Sequence, residues 1–228
     1  MTQRTGRRIA VTGTTALAEG VAAGLRDLGA RVALLDCAFE SEDDVRAAVA
    51  AARDALGGGI DQVVHAWVEP ALLDPQVFAE LSEETWAVAC EHTLEAAWWI
   101  ARQASPALRD THGSLVFLVP TIGMAGGAGY AMLAAVAEGV RVLAKGCGRQ
   151  WGAVGVTCNT IAVAPHHWTG EASGAELTRN ITLAVPAFGG EGDATTDLAP
   201  LVALLADDDA HFLTAGTLVA DGGTWRGL

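Results

Sequence analysis

The chain has 228 residues, 51% of them apolar, and a formal net charge of −13 from 27 acidic against 14 basic side chains. That length can bury a sizeable core and is read as one domain, 1–228. The charge speaks against a nucleic-acid or anionic-membrane surface, and no apolar run nears the ~20 residues of a membrane span.

Cys37, Cys90, Cys147 and Cys158 are widely spaced, with no Cys-x-x-Cys pair to suggest a zinc site or a disulfide framework. The opening "MTQRTGRRIAV" lacks the apolar stretch of a signal peptide, so a cytoplasmic chain with reduced thiols is expected. The first apolar run ends at Thr12 and Gly13. Leu17, Val21, Leu25 and Leu28 then fall at i, i+4, i+8 and i+11, one face of a helix that stops at Gly29. "ARVALLD" reads as a buried parallel strand ending on Asp36. "SEDDVRAAVAAARDALGGG" reads as a helix capped by Ser41, and "IDQVVHAW" as the next strand.

A long helix is expected from about Ser82 to Gln103, then the strand "GSLVFLVP", a helix over about Gly129–Gln150 and the strand "VGVTCNTIAV". An irregular stretch from Ala164 to about Asp193, a helix near Asp197–Ala206 and a last strand in "GTLVADGG" complete the chain. Strands alternating with helices predict a doubly wound α/β domain with a parallel sheet.

"VTG" at the first turn, "GSLVFL", "VGVTCNTIA" and the closing "LTAGTLVADGG" together resemble the short-chain dehydrogenase/reductase family over nearly the whole chain. The resemblance implies a Rossmann-like fold and a Ser, Tyr and Lys catalytic set assisted by an Asn. Those positions are Pro120 (with Thr121 beside it), Leu133, Ala137 and Thr93 here. Tyr130 falls three residues before the Tyr position and has no Lys at Ala134. In the nucleotide turn only Gly13 of the three glycines remains; Leu17 and Glu19 stand at the other two. Glu19 either replaces the anion over the helix N-terminus or faces solvent.

Asp36 stands where an acid binds the adenosine ribose, but the chain then runs almost at once into "CAFESEDDVRAAV". One strand-helix unit of the family is therefore missing, which predicts six strands with the second at the edge. The family's Asn-Asn-Ala-Gly is replaced by His65–Val68, and its Pro-Gly is shifted or absent at "VAPHHW".

These departures lead to an expectation of a non-catalytic structural or regulatory subunit that uses no nicotinamide cofactor and no metal. His166 and His167, in an extended segment, would point apart. The alternative is a cofactor-independent lyase, isomerase or hydrolase using His65, Glu69, His166 or His167. A third reading is an oxidoreductase of the family with atypical residues. Trp98 and Trp99, adjacent on one helix and about 100° apart, together with Val136, Val140 and Leu143, are expected at an interface. The assembly would be a homodimer, a homotetramer or a mixed one with an active family member.

Overall fold

The computed structural model describes residues 6–13, 15–169, 186–188, 190 and 192–225. Much of the expected irregular stretch, 170–185, lies outside the described residues. Six parallel strands form one sheet: β1 Arg8–Thr12, β2 Arg31–Leu35, β3 Gln62–His65, β4 Ser114–Pro120, β5 Thr157–Val163 and β6 Thr217–Ala220. Their order is β2-β1-β3-β4-β5-β6, as the missing strand-helix unit predicts.

The long helices are α1 Ala16–Asp27, α2 Glu42–Ala55, α3 Glu83–Thr111 and α5 Ala131–Trp151; short ones are α4 Ile122–Ala125, α6 His166–Thr169 and α7 Ala199–Leu204. Thr15, Ser41 and Ser82 cap α1, α2 and α3, each accepting a backbone N–H three residues on, from Ala18, Asp44 and Thr85. No helix of the described residues is long and apolar enough to cross a membrane.

Two elements differ from expectation for clear reasons. "ARVALLD" reads as a doubly covered strand, yet only Leu35 of β2 is buried, because no strand of the described residues pairs with its outer side. The helix expected to end near Gln103 continues two turns past it, through Pro106. Its buried stripe, Ala97, Ile100, Ala101, Ala104, Ala107 and Leu108, keeps the helical period to a left-handed stop at His112 (φ 52°).

Strand starts are pinned at one end of the sheet. Arg8 grips Asp61 with its guanidinium, and its backbone N–H donates to the same carboxylate at 2.8 Å. The guanidinium holds Asp61 below its ordinary pKa despite partial burial.

At the other end, β1 turns into α1 through Gly13 (φ 107°), where a Cβ would lie 2.6 Å from the Ala66 carbonyl oxygen. Further along, α1 lies against the wide turn Ala194–Leu198 that leads into α7. A Cβ on Gly24 would come within 2.2 Å of the Thr195 carbonyl oxygen. Gly24→Val is thus expected to cost more than the usual ~1–3 kcal/mol of overpacking, because a backbone must move. A thermal melt with an unchanged midpoint would refute this packing.

Candidate functional site

In open α/β sheets ligands lie beyond the carboxyl ends of the strands, at the point where strand order reverses. Here that point lies between β1 and β3. Thr12 ends β1 and His65 ends β3, and both are buried. The Thr12 hydroxyl lies 2.7 Å from His65 Nδ1 and accepts the Ala66 N–H at 3.3 Å. Burial pushes the His65 pKa down to about 3, and the ring is neutral. Phe39 and Phe117 stand edge-on to it, each with ring centroids 5.6 Å away. His65 is therefore a packed core histidine rather than a ring open to a substrate.

Phe39 follows β2 in a left-handed conformation (φ 58°), fully buried, with its ring 4.7 Å from that of Trp67. Its carbonyl accepts from Nε2 of His92 at 2.5 Å, and Nδ1 of the same ring meets Glu69 Oε2 at 2.7 Å. The Glu69 N–H in turn donates to Thr93 Oγ1 at 3.0 Å. Loop, strand end and α3 are thus tied through one imidazole, and Glu69 is engaged by it. Glu69 is among the residues expected from the sequence and His92 is not. The available signal was the pair His92–Thr93 on the helix, beside the family's Asn position.

At the β1–α1 turn, Leu17 points into the core at 1% exposure and Glu19 faces solvent. Glu19 therefore does not replace an anion over the helix N-terminus. The turn opens on a cavity of about 320 Å³ whose walls include Thr15, Ala16, Leu17, His167, Trp168 and Asp193. A second cavity, of about 360 Å³, is lined by His167, Asp197, Leu201 and Asp221. His167 belongs to both.

His166 and His167 are not in an extended segment. They lie on α6 with ring centroids 3.8 Å apart. Burial, then the neighbouring His166, pushes His167 down to about 4, against the pull of Asp193 and Asp197. No cluster of three or more metal-ligating side chains occurs among the described residues.

Asp36 is exposed just past the end of β2. Leu133 and Ala137 are buried core residues of α5. Pro120 ends β4, and the Thr121 hydroxyl after it is buried without a partner among the described residues. Tyr130 is the buried N-cap residue of α5, preceded by Gly129 packed on Pro75. Of the expected interface residues, Val136 and Val140 are buried within this chain, Leu143 and Trp99 are half-buried, and Trp98 faces outward at 46% exposure. The helical offset of about 100° separates the two tryptophans in this way.

A family model described as enoyl-(acyl carrier protein) reductase matches residues 1–224. The 3-oxoacyl-(acyl-carrier-protein) reductase of Staphylococcus aureus strain Mu50 is 28% identical over 174 residues, covering 74% of this chain and 67% of the relative. The enzyme of that name from Vibrio cholerae is 27% identical over 169 residues, covering 74% and 68%. The crystal structure of 3-ketoacyl-(acyl-carrier-protein) reductase from Brucella melitensis complexed with NADH superposes with a TM-score of 0.82 at 18% identity, over 97% of this chain and 99% of that one.

The family model and the reductase relatives overturn the expectation of a non-catalytic subunit, and with it the expectation that no nicotinamide cofactor is used. The cofactor-independent alternative is not favoured either. Physically, Glu19 faces solvent and does not close the turn.

Proposed function

Since the chain belongs to the short-chain dehydrogenase/reductase family, in the branch whose model is described as enoyl-(acyl carrier protein) reductase, we propose that it is a nicotinamide-nucleotide-dependent oxidoreductase with an atypical proton path. It would interconvert a carbonyl and a hydroxyl. The observation that carries this reading is the open turn. Gly13 holds the left-handed bend, Thr15, Ala16 and Leu17 at the start of α1 line a cavity of about 320 Å³, and Glu19 faces solvent, so the carboxylate in the cavity wall is that of Asp193, across from the turn on the segment before α7. The names of the relatives suggest a 3-oxoacyl thioester as the substrate class.

The residues present fit a dinucleotide at its phosphates and ribose. Gly13, Ala16 and Leu17 would hold the pyrophosphate through backbone, and Asp36 would accept from a ribose hydroxyl. When bound, the nucleotide supplies the hydride. His167, neutral and in the wall of both cavities, is the group placed to hold or pass the proton. We also propose that Trp98 is covered in a homodimer or homotetramer.

Titration followed by tryptophan fluorescence is the test. Saturable NADH binding is expected with Kd on the order of 10–100 μM, about −5.5 to −7 kcal/mol. NADPH should bind more weakly, because its 2′-phosphate meets Asp36. With a 3-oxoacyl thioester present, NADH absorbance at 340 nm should decay, and His167→Gln should slow the decay without changing Kd. No saturation by either nucleotide up to ~1 mM would reject the reading.

A further inference from the structure

Trp168 has no part in the proton path through His167, yet it stands beside that residue on α6. The turn after Pro165, whose carbonyl accepts the Trp168 backbone N–H at 2.9 Å, holds the side chain in a buried position at 5% exposure. The indole Nε1–H is buried too and has no hydrogen-bond partner among the described residues. An N–H withdrawn from water without an acceptor is a standing cost, and buried indoles ordinarily find one. Indole nitrogen only donates, so what the position lacks is an acceptor.

Trp168 borders the cavity of about 320 Å³ whose wall also holds Thr15, Ala16 and Leu17 of the β1–α1 turn. Unlike His167, it is not in the wall of the second cavity. The unmet donor therefore belongs to the side of the turn. Two side-chain oxygens of that wall already serve as caps. Thr15 Oγ1 accepts the Ala18 N–H at 3.2 Å, and Asp193 Oδ1 accepts the Thr195 and Thr196 N–H groups at 2.8 and 3.0 Å. No lysine or arginine is among the described residues of this wall, and Asp193 adds a negative charge to it. The donors it offers an anionic group are neutral N–H groups.

We propose that Trp168 is a binding residue for the pyrophosphate of the nucleotide, its Nε1–H donating to a phosphate oxygen. This rests on the reading that the turn takes a nicotinamide nucleotide. The pyrophosphate is then held by two sets of neutral donors, the backbone N–H groups at the start of α1 and the indole. A hydrogen bond to an ionised acceptor is the stronger kind. The indole N–H also carries no hydration to strip, because its desolvation is complete before the nucleotide arrives, so little offsets the bond it gains.

The test titrates the full chain, wild type and Trp168→Phe, by calorimetry with NADH and with ADP-ribose, which keeps the pyrophosphate and lacks the nicotinamide. Phenylalanine retains an aromatic ring and removes the donor. Kd is expected to rise about tenfold for both ligands, the effect of one hydrogen bond to a charged group. A rise below about twofold for both would overturn the proposal, and a rise for NADH alone would place the acceptor at the nicotinamide end and overturn the phosphate assignment. Because the smaller ring also reshapes the wall, a second measurement follows the bond itself. Wild type labelled at its indole nitrogens gives seven N–H signals by NMR, and the one missing from Trp168→Phe belongs to Trp168. Saturating ADP-ribose should move that proton signal downfield. Should the variant not fold, wild type still decides: one indole signal moving downfield supports the proposal and none overturns it. NADH that does not bind wild type rejects the nucleotide reading and this proposal with it, whereas NADH that binds with the Trp168 signal unmoved rejects this proposal alone.

Discussion

Phe39→Ala is expected to lower the unfolding free energy by about 3–5 kcal/mol, the range for emptying a buried aromatic site. The ring has no exposed surface and lies between His65 and Trp67, so its loss opens a void bordered by two rings that cannot both move into it. Alanine gains nothing at the backbone, because φ stays at 58°. Phe39→Gly should recover about 1–2 kcal/mol of that loss, since a side chain in the left-handed region costs roughly that much. Urea denaturation followed by tryptophan fluorescence measures both. A loss below ~1 kcal/mol for the alanine variant would mean that this ring does not hold the loop after β2.

The second large effect is a loss of stability in mild acid, traced to His65. The unfolded chain takes up a proton there near pH 6.5, while the folded protein refuses it until about pH 3. Between those values the unfolded state binds more protons. Stability present above pH 6.5 is therefore lost as the pH falls toward 3. From pH 7 to pH 5 this site alone should remove about 2 kcal/mol. His167, held down to about 4 but only half-buried, adds a smaller loss of the same sign. The check is a urea midpoint at the two pH values for wild type and for the double variant Thr12→Val, His65→Phe, which removes the buried pair at once. If the variant's midpoint falls as steeply as that of wild type, His65 is not the source.

Strand order was legible because its cause is local. The few residues between Asp36 and Ser41 leave no room for another strand and helix, and six strands with β2 at the edge follow. That Leu133 and Ala137 lie on one uninterrupted helix was legible for the same reason.

What the sequence concealed depends on facing and distance. Whether Glu19 covers the turn or looks away is a matter of helical rotation relative to the sheet, which pattern alone leaves open. His92 stood on a helix with nothing in its neighbourhood to announce Phe39 and Glu69, separated from it by 53 and 23 positions. His166 and His167 changed meaning because "HHWT" closes into a helical turn after Pro165, bringing two rings together that an extended segment would have parted. Reading vacancy at one relay as absence of function was the larger error, since proton transfer needs a group at the right place and not a particular residue type.

The outer side of β2 bears on solubility. Among the described residues no strand pairs with its outer side, and a five-residue edge with Leu34 at 43% exposure is the geometry from which strand-by-strand aggregation grows. The chain guards it at both ends: an exposed Arg31 opens the strand, and exposed Asp36 and Glu40 follow it, so an added strand would have to cover charges of both signs. Against a background of −13, these few side chains work against recruiting a second copy along that edge.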